Sequence, residues 1–368
     1  MSFSGSIAFY GFRGGKGGIG HVMLNLMNEM SNYGLDVSIL LNNPHIPELD
    51  HLDPRIEQIK LGDVSSFKRV VSLARYINDK NPDVILCNRE PANRTAVLAK
   101  KISNKDVKLA FRVGMPMQQA LRRRNFLKRW LRQSYIRFSY HRADVVIANA
   151  KGVAEDISVV TGIPFSQIKI LPNPTVGPLL FKKAKEDIEH PWLKEGEPPV
   201  IMGIGRLAKQ KDFPTLIKAF ALVNKKRDCR LMILGEGKER RALEQLIEEL
   251  GISDSVSLYG FCPNPFALLK KASLFVLSSA WEGLPNVLIE AMALGIPLVA
   301  ADCKSGPREI LDGGKYGKLV EVGNVEQMAE AILNTLANPP SKAFLQQGAE
   351  RYNASKCTYQ YIKALGFC

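Results

Sequence analysis

The stretch SSAWEGLPNVLIEAMALGIPLVAADCKSGPREIL, residues 278–311, decides the fold. The apolar run LFVLSS leads into it, helical spacing begins near Pro285, and IPLVAAD then reads as another short apolar strand. Strand, loop, helix, strand is the repeating unit of a parallel sheet covered by helices. Two acids punctuate the unit. Glu282 falls in the loop ahead of the helix, and Glu290 lies inside the helix, a little over two turns further on. They therefore have different roles. The first residues of the helix, Asn286, Val287 and Leu288, present backbone N–H groups with no intrahelical partner, which suits an anion.

The same rhythm extends in both directions. VIMGIGRL, CRLMILGEG and VSLYGF precede the unit, and in the first half SIAFYGF, LDVSILL, PDVILCN, VKLAFRV, ADVVIANA and IKILPNP alternate with helical segments. Residues 174–199 interrupt the alternation with prolines, charges and weak periodicity, and read as a linker. At 368 residues the chain is long enough for two cores. The expected architecture is α/β: two Rossmann-like, doubly wound parallel-sheet domains facing a cleft. Residues 1–180 form the first and residues 181–344 the second. In such sheets ligands bind at the carboxyl ends of the strands. The loop after VIMGI, GRLAKQK, places Gly205, Arg206 and Lys211 there, two cations able to converge on a diphosphate.

At residues 14–22, GGKGGIGHV follows a strand and resembles a nucleoside triphosphate loop. That chemistry needs a lysine for the phosphates and a hydroxyl for magnesium. His21 and Val22 stand at those positions. What remains is a glycine turn at a helix N-terminus, open to an anion or to the close approach of a sugar. The six cysteines show no C-x-x-C spacing and read as buried or free thiols, not a metal site or a disulfide framework. No run reaches 18 apolar residues and no leader is visible, so a cytoplasmic location is expected.

Of the formal net charge of +14, residues 1–180 carry +11 and residues 181–368 only +3. Much of the excess sits in ALRRRNFLKRWLRQSYIRF, residues 120–138, which holds Arg122, Arg123, Arg124, Lys128, Arg129, Arg132 and Arg137 and no acid. Leu127, Trp130, Leu131, Ser134, Tyr135 and Phe138 fall on one helical stripe with the cations at its flanks. Such a helix fits an anionic membrane surface or a phosphate-bearing lipid; alternatively the stripe is core and the cations are solvated. No helix-turn-helix, finger or RNA-binding signature supports nucleic acid.

Together these stretches resemble the retaining glycosyltransferases of family 4 (glycosyltransferase group 1), in their bacterial form, which have the GT-B fold. The opening glycine loop and helix, LPNP at 171–174, GRLAKQKDFPTLIKAF, LMILGEGKERRALEQLIEELGISDSVSLYGF and the E-x7-E stretch occur in that family's order across nearly the whole chain. AERYNASKCTYQYIKAL resembles the family's C-terminal helix, which implies that a helix at about 345–368 joins the first domain. One departure stands out: where many members have a histidine after a first-domain strand, KLAFRVGMP has Arg112 and Gly114.

The resemblance implies transfer of a hexose or N-acetylhexosamine, with retention, from a nucleotide-sugar to a glycan or lipid-linked acceptor of a surface glycan, lipopolysaccharide or glycolipid. Arg206 and Lys211 would neutralise the donor diphosphate, Glu282 would accept hydrogen bonds from the sugar, and Glu290 would hold the ribose. Gly17, Gly18, Gly205, Asn286, Val287 and Leu288 would line the donor, with UDP the favoured nucleotide. No metal or other cofactor is implied. His21, Arg112, Arg122, Arg123, Arg124, Lys128, Arg129 and Trp130 are candidates for the acceptor or for the cytoplasmic face of the membrane. A nucleotide-sugar epimerase of the same fold, or a non-catalytic nucleotide- or nucleic-acid-binding protein, are the alternatives.

Overall fold

The computed structural model describes residues 2–12, 18–42, 46–62, 65–122 and 125–368. The chain divides into two compact units, residues 1–175 with 354–368, and residues 176–353.

In the first unit the strands are β1 (Ser6–Tyr10), β2 (Asp36–Leu41), β3 (Glu57–Lys60), β4 (Val84–Cys87), β5 (Lys108–Val113), β6 (Val145–Ala148) and β7 (Ile168–Ile170). They pair in parallel in the order β3-β2-β1-β4-β5-β6-β7. The second unit has β8 (Val200–Ile204), β9 (Arg230–Leu234), β10 (Val256–Gly260), β11 (Leu274–Leu277), β12 (Leu298–Ala301) and β13 (Lys318–Val320), in the parallel order β10-β9-β8-β11-β12-β13. Both orders reverse once, between β1 and β4 and between β8 and β11. The central strands are almost wholly apolar because helices cover both faces. Each unit has its own core: Phe9, Met27, Ile39 and Tyr361 are fully buried in the first, Phe220, Leu231, Leu274 and Ile332 in the second.

Two strands escape a reading by apolar runs. β3 is EQIK, with only Ile59 partly covered, and β13 is three residues long. Both are edge strands, where one side faces solvent and apolar alternation is lost.

Two expectations are corrected and one open alternative is decided. Residues 174–199 are no linker: the helix Pro178–Lys185 packs on the helix Pro265–Leu269, and Asn264 Nδ2 donates to Lys183 O at 2.8 Å and to Glu186 at 2.7 Å. The helix Lys342–Ala349 packs on the helix Asn286–Leu294, so the chain returns to the first unit only at Ala354, later than residue 345. The basic segment is two helices, Met117–Arg122 and Phe126–Tyr140, and the second buries Ile136, Ser139 and Tyr140. Its Trp130, Leu131 and Tyr135 point outward, with Trp130 58% exposed, so the stripe is not core. The side chain of Leu127 lies outside the described residues.

Candidate active site

β8 and β11 are neighbours at the point where the second sheet reverses, and both candidate loops leave from their carboxyl ends. Residues 205–212 follow β8; Ser278, Ser279 and the loop to Pro285 follow β11. Two glycines after β9 hold the first loop down. A Cβ on Gly235 would lie 1.9 Å from Gly205 O, and one on Gly237 would lie 2.0 Å from Leu207 O. With hydrogen in their place, Gly205 N donates to Leu234 O (2.9 Å), Leu207 N to Glu236 O (3.0 Å) and Glu239 N to Leu207 O (3.1 Å). Gly205 has a separate purpose. A Cβ there would meet Lys211 Cε at 2.7 Å, so its absence lets the lysine stem cross the loop.

That crossing delivers Lys211 Nζ to Glu282 Oε1 at 2.7 Å. Glu282 is buried and also accepts from Ser279 Oγ (2.7 Å) and, on Oε2, from Gln210 Nε2 (3.3 Å). Gln210 Nε2 donates to Trp281 O as well, and Ala280 N donates to Gln210 O. Ser278 Oγ donates to Lys211 O at 2.7 Å. The two loops are thus joined by backbone, side-chain and charge-assisted bonds, which fixes a buried carboxylate beside a cation. Gln210, Ser278 and Ser279 escape the sequence reading; small hydroxyls at a strand's carboxyl end are the only trace they leave.

Glu290 differs from Glu282. It is buried inside the helix Asn286–Leu294, and its side chain makes no hydrogen bond or ion pair among the described residues. Burial pushes its carboxyl up to about 8, only partly offset by the Lys211 ammonium. It is therefore mainly a neutral acid at pH 7, able to donate as well as accept. Behind Glu282, burial and then the Glu282 carboxylate push the Cys303 thiol up to about 12. It stays protonated and is no nucleophile.

Arg206 is exposed, and its side chain has no hydrogen bond or ion pair among the described residues. Asn286, Val287 and Leu288 form the first turn of their helix; Asn286 and Val287 are half-buried, Leu288 is buried and its N–H donates to Pro285 O. Loop 282–285 is braced from behind by Ser305 Oγ, which donates to Gly283 O, and by Gly306, where a Cβ would lie 2.5 Å from that oxygen. Among the described residues, no three His, Cys, Asp or Glu side chains gather as a metal ligand set.

In the first unit the picture is more dispersed. Gly17, Arg123 and Arg124 lie outside the described residues, as does the side chain of Arg122, which ends its helix. Gly18 opens the helix Gly18–Asn32, and His21 lies in its first turn, half-buried and engaged with neighbours. Arg112 is a correction: it is no surface group. It is 3% exposed, and its Nε donates to Tyr361 Oη (3.1 Å) and its Nη2 to Asn173 Oδ1. It ties the helix Ala354–Leu365 to β5. Lys128, Arg129 and Trp130 are exposed together on the helix Phe126–Tyr140.

Known proteins resemble the chain in both units. Residues 184–352 match the family model of glycosyl transferases group 1, and residues 17–174 match that of a glycosyl transferase 4-like domain. The N-acetylgalactosamine-N,N'-diacetylbacillosaminyl-diphospho-undecaprenol 4-alpha-N-acetylgalactosaminyltransferase of Campylobacter jejuni is 36% identical over 216 residues, 58% of this chain and 57% of that protein. The chain thus spans little more than half of that relative's length. The lipopolysaccharide 1,6-galactosyltransferase of Escherichia coli is 26% identical over 73% of this chain and 69% of its own. Among solved structures, Anabaena HepE in complex with UDP superposes with a TM-score of 0.77 at 19% identity, covering 98% of this chain and 99% of that one. At that identity the likeness is one of fold, and the fold is GT-B.

Proposed function

The chain belongs to the group 1 glycosyltransferases, and from that premise we propose that it moves a sugar, with retention of anomeric configuration, from a nucleotide diphosphate to a surface-glycan acceptor. The observation that carries the reading is the Lys211–Glu282 pair, locked between two strand ends on the loop that also carries Arg206, whose side chain has no partner among the described residues. When the bond from the anomeric carbon to the diphosphate oxygen breaks, the electron pair leaves with the diphosphate. Negative charge grows there, and Arg206 and Lys211 stabilise it in the transition state. Backbone N–H groups of Asn286 and Val287 add to that field. Glu282, its geometry fixed by Ser279 and Gln210, accepts hydrogen bonds from the sugar hydroxyls. Glu290 holds the ribose. Gly205 lets backbone approach the donor. The acceptor hydroxyl attacks from the face the diphosphate leaves, and no protein nucleophile is required.

UDP is the proposed nucleotide, carrying a hexose or N-acetylhexosamine; the UDP complex of the Anabaena protein supports it. The two cations do the work that magnesium would otherwise do, so the reaction needs no metal. A lipid-linked acceptor is supported by the names of the relatives, one of which acts on a diphospho-undecaprenol saccharide and another on lipopolysaccharide. Among the described residues no helix is long and apolar enough to cross a membrane. We propose peripheral attachment to the cytoplasmic face of the inner membrane through Lys128, Arg129 and Trp130, with the neighbouring arginines 122–124 adding charge. Incubation with each common UDP-sugar and an undecaprenyl-diphosphate-linked saccharide tests the reading. Sugar should enter the lipid extract from one donor, at equal rates with and without EDTA and with the donor's anomeric configuration. Absence of transfer from every nucleotide-sugar would contradict it.

A further inference from the structure

Asp212 stands between Lys211 and the buried Phe213, at the position that caps the helix Phe213–Asn224. Residues at that position are ordinarily extended, and an aspartate there ordinarily accepts from the helix's first N–H groups. Asp212 does neither. Its backbone is left-handed, φ 46° and ψ 46°, and its side chain makes no capping bond, Oδ2 instead accepting from Thr215 Oγ1 at 2.8 Å. The other two non-glycine residues with positive φ among those described are Asn81, which ends a helix, and Asp312, in a 3-10 turn. Left-handed conformers at helix ends are common, whereas one entering a helix turns the chain sharply.

The consequences fall on Lys211. On one side of the turn Phe213 is anchored in the core and Pro214 stiffens the helix start. On the other, Lys211 O is held by Ser278 Oγ, Lys211 N donates to Ala208 O, and the stem crosses Gly205 to reach Glu282. With both flanks pinned, one residue's torsions decide whether the ammonium meets the carboxylate. We propose that Asp212 is a positioning residue whose left-handed backbone aims Lys211 at Glu282 and at the donor diphosphate. Asparagine and glycine share aspartate's tolerance of this conformation, and β-branched residues do not. The inference rests, for the diphosphate, on the donor-site reading above; for the ion pair it stands alone.

The experiment compares Asp212→Gly, Asp212→Asn and Asp212→Val. By calorimetric titration with UDP, the glycine and asparagine variants should bind within about twofold of wild type, and the valine variant on the order of tenfold more weakly. In a Lys211→Ala background the valine change should weaken UDP no further, since it acts through the lysine. A second cycle needs no ligand. In thermal unfolding, Glu282→Gln should lower the melting temperature less in Asp212→Val than in wild type, and by the wild-type amount in Asp212→Gly. Valine binding UDP like wild type, glycine failing like valine, or an additive Asp212–Glu282 cycle would each overturn the proposal. A protein that ignores UDP while the unfolding cycle still couples would refute the donor reading and leave the positioning role intact.

Discussion

Glu290 holds its proton because burial outweighs the attraction of the Lys211 ammonium. In the unfolded chain the carboxyl titrates near 4.5, and in the folded one near 8. Between those values unfolding releases a proton, so this residue's share of stability is present at pH 5 and lost as the pH rises through 8. Melting temperatures from pH 5 to pH 9 should therefore fall more for wild type than for Glu290→Gln; parallel curves would contradict the shift. Lys211 and Glu282 pose the opposite case. Lys211 is 16% exposed and Glu282 6%, so deleting the lysine strands a mostly buried carboxylate, and Lys211→Ala should cost about 2–4 kcal/mol in chemical denaturation. Arg206→Ala removes an exposed, unpaired cation and should change stability by no more than about 0.5 kcal/mol. Its effect on transfer should be on the order of 10²-fold, through the lost charge on the leaving group. Glu282, Glu290 and Lys211 were legible because fixed spacing on a strand–loop–helix unit carries them. Gln210, Ser279 and Asp212 were not, since each acts through a bond or a torsion that no periodicity records.

At the scale of elements, the second unit's site depends on glycines as well as on polar groups. Gly235→Ala would place a methyl group 1.9 Å from Gly205 O, a backbone atom that can move only if the whole loop moves. The expected cost is about 3 kcal/mol, together with a weakened response to UDP, since the loop carries Arg206 and Lys211. An alanine variant that unfolds and binds like wild type would show that the loop yields freely. Apolar runs revealed the central strands because helices bury both their faces, and failed at β3 and β13, which lie at edges. They also misjudged residues 174–199, where the short helix Pro178–Lys185 has only Leu180 and Ala184 buried and too few turns to show a period. In the basic segment the period was right, and it left open whether the stripe faces the core or the outside. Spacing locates a stripe on a helix, but only packing against the neighbouring helices Glu90–Ile102 and Lys151–Thr161 decides which stripe is inside.

Taken as a whole, the chain spends its charge unevenly, +11 within residues 1–180 and +3 beyond. If Lys128, Arg129 and Trp130 meet anionic lipid, vesicle flotation should be strong at low salt, weaken as ionic strength shortens the screening length to about 8 Å, and fall several-fold in Trp130→Ala. Flotation insensitive to both salt and Trp130 would place any membrane contact elsewhere. The proposed donor site lies in the other unit. Its most direct test is thermal stabilisation by UDP, GDP, ADP, ATP and their sugar conjugates with EDTA present, because a ligand of the native state alone must raise the melting temperature. The expected result is a rise with UDP or one UDP-sugar that persists in EDTA and is lost in Arg206→Ala. A rise confined to ATP with magnesium, or one indifferent to Arg206, would contradict it.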